Sequence, residues 1–258
     1  NALGHDYKDT VVEPPTESEG YTEHVCDRCG DTYRDNYTDK LAYSNILADG
    51  PVFNKFIAEG TTSITFTNIS VPENVETTDV SKIGDGSVLM WYEGADAFVT
   101  TKNGETLYVE DCEEMFAGTL KYFPDIGVNH KLERIVLDNF DTSRVENMQL
   151  MFHACTELYE IKFNDFDTSN VTNMHHMFGT CTSLESVDLF SFDTSKVTDM
   201  CGMFEACRKL KAVDVSNFNT SHVLSMDFMF SFCEELEVVD VSNFDTSKVE
   251  NMAWYVPG

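Results

Sequence analysis

The chain has 258 residues, of which 42% are hydrophobic and 12% aromatic, a composition typical of a folded protein with a substantial core. Its 45 acidic and 17 basic residues give a formal net charge of −28, which repels nucleic-acid phosphates and anionic lipid surfaces and keeps a protein soluble. Nucleic acid is therefore a poor partner, and insertion into a membrane is not expected because no run of about 18 apolar residues occurs.

Residues 1–40 are predicted to form a small module with a Cys-x-x-Cys knuckle. The alternating residues 21–25, followed by the turn-prone Cys26-Asp27-Arg28-Cys29-Gly30, indicate a short hairpin with the knuckle at its tip. So short a segment, poor in aliphatic side chains, cannot bury much of a core. We therefore expect this module to be a spacer between larger domains.

The same knuckle is a candidate metal site. Cys26 and Cys29 can present two thiolates to one zinc ion, and His5 or His24 can supply further ligands. A second Cys-x-x-Cys pair is missing from the sequence. The alternatives are a disulfide or free thiol pair, and a metal-free module held together by its aromatic residues. Zinc at this module is the one cofactor that the sequence suggests.

Residues 41–131 do not repeat and are predicted to form a β-rich N-terminal cap. The alternation in residues 63–69 indicates a strand with Ile64 and Phe66 on one face. Residues 111–118 look like a degenerate copy of the repeat that follows. A stack of repeats exposes its apolar end unless a terminal unit covers it, so this segment is expected to cap the stack.

Two hairpin signals lie in series within this cap. Residues 88–101 contain two apolar runs around a turn, and a second turn and run occupy residues 103–109. Trp91 and Tyr92 are expected to be buried anchors of the cap, and a site where their rings stack on a sugar is the alternative.

The C-terminal part, residues 132–258, repeats with a period of 26 residues. Its five copies, called repeats 1 to 5, begin at Leu132, Leu158, Leu184, Leu210 and Leu236. The string Phe-Asp/Asn-Thr-Ser occurs in each repeat, beginning at Phe140, Phe166, Phe192, Phe218 and Phe244. A ladder of buried free thiols is expected from the cysteines that keep the same interval, Cys155, Cys181, Cys207 and Cys233. A constant period of this length indicates a solenoid.

Each repeat is predicted to contain a short strand, a tight turn and a short helix. In repeat 3, Val187 and Leu189 alternate with polar neighbours, which indicates a strand. The Asp-Thr-Ser string is typical of turns whose side chains bond to the backbone, so a stacked ladder of turns is favoured over a ligand site. Asp199 is the kind of residue that caps a helix, and apolar residues follow it at helical spacing.

Repeat 2 carries a pair of histidines, His175 and His176, at the start of its predicted helix. Because no third ligand is placed by a recognisable spacing, we predict a solvated pair and no metal ion there. Cys201 lies off the register of the cysteine ladder and is expected to be more exposed than the ladder thiols.

The outward positions of the predicted strands carry a repeated charged stripe. Val136 and its equivalents in repeats 2 to 5 are expected to point away from the core. With two neighbouring charges, they give the predicted binding face, which consists of Arg134, Glu160, Lys162, Asp188, Asp214 and Asp240.

The string Phe-Asp-Thr-Ser-x-Val-x-x-Met-x-x-Met-Phe-x-x-Cys-x-x-Leu-x-x-x-Asp-Leu/Val resembles the 26-residue repeat of the BspA-like leucine-rich-repeat surface proteins of bacteria. The resemblance covers residues 111–252. It implies an extracellular protein, secreted or displayed on the bacterial cell surface, that adheres to host proteins, to other bacteria or to the matrix. It transfers no catalytic residue.

These observations predict an α/β repeat solenoid of the leucine-rich-repeat kind, with a parallel strand ladder, short helices, a β-rich cap and the small N-terminal module. The first residue is Asn1, so we expect a piece of a longer protein whose export and anchoring signals lie outside it. The predicted function is a cell-surface module that binds a protein or a glycan. A structural stalk is the alternative, and an enzyme is least favoured because no catalytic motif occurs.

Overall fold

The computed structural model describes residues 7–12, 20–26, 32–38, 45–119, 131–164 and 166–251. The chain divides into two compact units, residues 1–44 and residues 45–258. Across the described residues, no helix combines the length and the apolar character needed to cross a bilayer.

The N-terminal unit contains a three-stranded antiparallel sheet in the order β1-β2-β3, formed by β1 (Tyr7–Val12), β2 (Gly20–Cys26) and β3 (Thr32–Thr38). The predicted hairpin is confirmed, because β2 and β3 pair in antiparallel register with Val25 opposite Thr32. Strand β1 was not expected, since the sequence around it lacks a clear apolar alternation.

The second unit begins with a short helix, α1 (Gly50–Phe53), and a 3₁₀ turn (Asn54–Phe56). Its strands are β4 (Ser63–Phe66), β5 (Thr78–Asp79), β6 (Val88–Glu93), β7 (Asp96–Thr101), β8 (Leu107–Tyr108), β9 (Arg134–Leu137), β10 (Phe140–Asp141) and β11 (Glu160–Phe163). Six of them form a mixed sheet in the order β11-β9-β4-β7-β6-β5, and β8 pairs with β10 in a separate two-stranded sheet. The described fold is therefore mostly sheet with few helices.

The predictions for the cap hold in part. Strand β4 buries Ile64 and Phe66 on one face, and β6 and β7 form the first hairpin. The second hairpin is wrong, because β8 pairs in parallel with β10 of repeat 1 instead of folding back on β7. Trp91 is buried and stacks on Phe98 at 5.3 Å between ring centroids, so it anchors the cap and cannot offer its face to a sugar.

Successive repeats pair at equivalent positions. Parallel bridges join Asn147 to Asn173, Asn173 to Asp199, Asp199 to Ser225, and Ser225 to Asn251. The degenerate copy at 111–118 continues this pattern towards the N-terminus, as expected, since its amides donate to carbonyls of repeat 1. The sequence period of 26 residues is thus also the register of contact between neighbours.

The expected strand is present as β9 in repeat 1 and β11 in repeat 2. In repeats 4 and 5 it shrinks to a single bridge between Ala212 and Val238, and the equivalent residues of repeat 3 form neither strand nor bridge. The reason lies at the outward position. Repeats 3 to 5 carry an aspartate there, and its carboxylate accepts the amide N–H two residues on, as Asp188 does from Phe190 at 3.0 Å. Such a local bond competes with the strand ladder.

The predicted helices are wrong for the described part of the repeats, where tight turns follow one another instead. Every second amide N–H leaves its own repeat and donates to the next one. In repeat 1, the amides of Met148, Leu150 and Phe152 donate to carbonyls of repeat 2 at 2.8–2.9 Å. Leu150 and Ala154 adopt positive φ angles of 58°, which a helix does not allow. The apolar residues recur at the spacing of a helix because the successive turns also direct every third or fourth side chain into the core.

Two columns of phenylalanine rings fill the core of the repeats. One column stacks at centroid distances of 5.3–5.5 Å and consists of Phe116, Phe152, Phe178, Phe204 and Phe230. The thiol ladder is confirmed, since all four cysteines are buried and free. Each thiol donates to a carbonyl of the preceding unit, for example Cys181 to Phe152 at 3.1 Å.

The threonine of the Phe-Asp-Thr-Ser string ties neighbouring repeats together. Thr168 is 1% exposed, and its Oγ1 donates to the carbonyl of Asp193 at 2.9 Å and accepts the Asp193 amide at 2.7 Å. Thr142, Thr194 and Thr220 do the same to the next repeat. The predicted ladder of turns is therefore confirmed, and we call these four pairs of bonds the threonine clasps.

Candidate functional site

The residues of the predicted binding face lie on the surface, with one correction. Lys162, Asp188, Asp214 and Asp240 are exposed, as expected for outward positions. Val136 is buried, with only 6% of its surface exposed, because β9 is an interior strand with Thr65 on one side and Lys162 on the other. The outward face is thus continuous from repeat 2 onwards.

At the repeat 1–2 end of this face, three charged side chains pair with one another. Glu160 forms ion pairs with Arg134, whose Nε lies 2.7 Å from a carboxylate oxygen, and with Lys162, whose Nζ lies 3.3 Å from the other. All three side chains are partly exposed, so each pair contributes little to stability. The structure therefore brings these three predicted residues together in one ion cluster of two positive charges and one negative charge.

The aspartates of repeats 3 to 5 are different, because no described cation pairs with them. Each carboxylate caps its own chain: Asp214 accepts the amide of Ser216 and Asp240 the amide of Ser242, both at 2.9 Å. These hydrogen bonds lower the pKa of Asp214 and of Asp240. The three carboxylates lie on one face and form a negative stripe, which we call the aspartate stripe: Asp188, Asp214 and Asp240.

One aromatic side chain stands on this stripe. Phe190 is 87% exposed and separates two open clefts. The first, about 360 Å³, includes Lys162 and Asp188 in its lining, and the second, about 380 Å³, includes Asp188 and Asp214. Because its exposed ring lies between two clefts, Phe190 is a candidate contact residue. Phe190 and its flanking clefts are the best-formed candidate binding site on the predicted face.

The sequence analysis did not single out Phe190, although a signal was available. At the equivalent position the other repeats carry polar residues, namely Asp138, Asn164, Ser216 and Ser242. Alignment of the repeats therefore isolates one aromatic exception. An outward residue that differs from its equivalents in the other repeats is not constrained by packing in the core. It is therefore available for contact with a partner.

The predicted zinc site cannot be judged from the described residues. His5 and Cys29 lie outside them, and for His24 and Cys26 only the backbone of β2 is described. The backbone places His24 opposite Asp9, and Cys26 opposite Tyr7, in the register of β1 and β2. Zinc at the knuckle stays a prediction.

A second cluster of metal-ligating side chains lies on the turn segments of repeats 2 and 3. One ligand atom from each of His175, His176 and Cys201 lies within 4.8 Å of the other two. His176 Nε2 also lies 2.6 Å from Glu205 Oε2. The prediction that the two histidines form a solvated pair holds only in part, because both are partly buried and His176 bonds to Glu205 of the next repeat. A shift of 26 residues places Cys201 beside His175, a relation that the sequence period already contained.

Comparison with known proteins places the repeats in one family. The family described as "Mycoplasma protein of unknown function, DUF285" matches three overlapping segments, residues 61–187, 127–213 and 183–255. No curated protein and no solved structure gives a significant match. Together the matched segments reach from residue 61 to residue 255, which is well over half of the sequence. The chain therefore belongs to the DUF285 family.

Proposed function

We propose that this chain is the ligand-binding part of a bacterial cell-surface protein, built as a solenoid of the BspA-like kind. The proposal is supported by the register of 26 residues, by the clasps and ring columns that join each repeat to its neighbours, and by the acidic surface. Repeat arrays of this kind offer long, regular surfaces on which a partner contacts several units at once. No catalytic step forms part of the proposal.

The observation that carries the proposal is the exposure of Phe190 beside the aspartate stripe. An aromatic face with carboxylates on either side suits a segment that presents an apolar group flanked by lysine or arginine side chains. The aspartates accept charge-assisted hydrogen bonds, and the ring supplies the contact area. A basic segment of a protein therefore fits this face better than a neutral glycan does.

The test is a binding screen with the full chain against arrays of basic peptides and of glycans. Phe190→Ser, which installs the residue of repeats 4 and 5, is expected to weaken binding at least tenfold. Asp188→Lys together with Asp214→Lys is expected to abolish it and to remove its salt dependence. Tyr159→Ser removes another exposed aromatic residue, outside the clefts, and serves as the matched control. Equal binding by the Phe190 variant and the control would exclude this site.

A structural stalk remains the second candidate, favoured by the uniform bonding between neighbours. The threonine clasps and thiol bonds recur in the same geometry from repeat to repeat, as a load-carrying rod requires. Deletion of the 26 residues of repeat 4 separates the two functions. A stalk keeps its folding and display after the deletion, whereas a binding face loses the contacts that Asp214 makes.

A further inference from the structure

The turn segments of repeats 2 and 3 bring three metal-ligating side chains to one point. His175 Nε2 and His176 Nδ1 lie 3.1 Å apart. One ring nitrogen from each histidine and Cys201 Sγ also lie within 4.8 Å of one another. In tetrahedral zinc sites, two nitrogens about 2.0–2.1 Å from the metal lie about 3.3 Å apart, and a nitrogen and a thiolate sulfur lie about 3.5 Å apart. The two imidazole nitrogens are therefore close to the required separation, and the thiol has to approach by at most about 1.3 Å.

A carboxylate orients one of the two imidazoles. Glu205 Oε2 lies 2.6 Å from His176 Nε2, within hydrogen-bond distance. Metal-binding histidines commonly donate their second ring N–H to such a carboxylate, which fixes the tautomer and the ring orientation. With Nε2 donating to Glu205, His176 directs the lone pair of Nδ1 towards His175.

A third histidine beside the cluster supplies an independent sign of a ligand. His153 of repeat 1 is only 9% exposed, and its ring lies edge-on to His176 at 5.8 Å between centroids. Among the described residues, His153 Nδ1 has no hydrogen-bond partner. A buried polar nitrogen of this kind is costly unless a further group, such as a metal-bound water, satisfies it.

Two glycines make room for these imidazoles. A Cβ atom at Gly202 would lie 2.4 Å from His176 Nε2, and one at Gly179 would lie 2.8 Å from His153 Nδ1. At the position of Gly202, repeats 1, 2 and 4 carry Leu150, His176 and Phe228. The space for the histidines therefore depends on residues particular to repeats 2 and 3.

We propose that His175, His176 and Cys201 bind one divalent transition-metal ion, with Zn²⁺ as the best match to two imidazoles and a thiolate. Ca²⁺ and Mg²⁺ prefer oxygen ligands and fit this donor set poorly. Three protein ligands leave a fourth position for water. The ion cross-links repeats 2 and 3, and this role is independent of ligand binding at Phe190.

The test is titration of the full chain with Co²⁺, which reports thiolate coordination by its absorption. The background is Cys26→Ser, Cys29→Ser, so that the N-terminal knuckle cannot contribute. We expect one equivalent of Co²⁺ and a sulfur-to-cobalt charge-transfer band that Zn²⁺ removes by competition. Cys201→Gln, which installs the residue of repeat 1, should abolish the band.

Further variants assign the nitrogen ligands. His175→Gln is expected to weaken Co²⁺ binding at least tenfold, and Glu205→Gln about 10- to 100-fold with the band retained. His222→Gln removes an exposed histidine outside the cluster and should change nothing. Circular dichroism without metal checks that each variant folds.

A measurement on the unsubstituted cluster completes the test and does not depend on any variant folding. In the same background, stoichiometric Zn²⁺ should protect Cys201 from alkylation, with the modified residue located by mass spectrometry. Absence of the charge-transfer band, a band that persists in Cys201→Gln, or alkylation of Cys201 at an unchanged rate in Zn²⁺ would each overturn the proposal.

Discussion

Replacing one threonine of a clasp by valine tests how the repeats hold together. Thr168→Val keeps the shape of the side chain but removes the two bonds that join Thr168 to the backbone of Asp193, at 2.7 and 2.9 Å. Because Thr168 is 1% exposed, water cannot easily replace the hydroxyl. A buried N–H or C=O without its partner costs about 1–3 kcal/mol. The two groups together cost about 2–6 kcal/mol, and the extra methyl group regains about 0.8 kcal/mol, so we expect a net loss of about 1–5 kcal/mol.

Urea unfolding, followed by tryptophan fluorescence and circular dichroism, measures this loss as a lower midpoint with an unchanged slope. Thr168→Ser retains both bonds and loses one methyl group, so it should cost only about 1 kcal/mol. Thr246→Val makes the same change in an exposed threonine of repeat 5, whose hydroxyl has no partner among the described residues, and should be near neutral. If valine at 168 cost no more than serine, the clasps would not contribute to stability.

Three further outcomes follow from the core and the turns. In the presence of a chelator, and without the two knuckle cysteines, an aromatic disulfide reagent should modify only Cys201 in the native chain, because Cys201 is partly exposed whereas Cys112 and the ladder thiols are buried, and burial also raises the pKa of the ladder thiols; rapid reaction of further thiols would contradict this. Phe204→Ala should cost about 3–5 kcal/mol in urea unfolding, since it interrupts a ring column, and a loss below about 1 kcal/mol would show that the column relaxes. Bonds from Ser195 lower the pKa of Asp193, so its contribution is present above the unfolded pKa and disappears as pH falls through the folded one. Asp193→Asn, which copies Asn219 of repeat 4, should therefore flatten the dependence of the melting temperature on pH between about pH 5 and pH 2; an unchanged dependence would refute the assignment.

Much of the repeat architecture could be predicted because one period governs both the sequence and the contacts. The inward positions, the thiol ladder and the turn threonines all recur every 26 residues, and equivalent residues meet in the structure. The prediction of helices was wrong because of what the spacing of apolar residues shows. It shows which side chains face inward, but it does not show to which carbonyl each amide N–H donates. That choice is made by the neighbouring repeat, whose carbonyls lie within reach of every second amide.

The candidate sites were harder to predict because they depend on exceptions to the repeat. Phe190 is an aromatic residue where the other repeats are polar, and Gly202 is a small one where they are large. His175 and Cys201 are far apart along the chain, so no linear motif relates them. Only stacking in register brings them together, and the search for motif spacing within one repeat misses a site formed between two.

The amides of the turn segments give the array a direction. From Cys112 to Ala206, every second amide of these segments donates to the following repeat, so the dipoles of these peptide groups add along the stack as they do along a helix. The two ends are therefore chemically different: one presents acceptors and the other presents donors. At the acceptor end, the buried side-chain amide of Asn54 donates through Nδ2 to the backbone carbonyls of Glu114 and Ala117. A unit that closes the donor end has to supply carbonyl or carboxylate oxygens, so a copy of the N-terminal cap could not serve there.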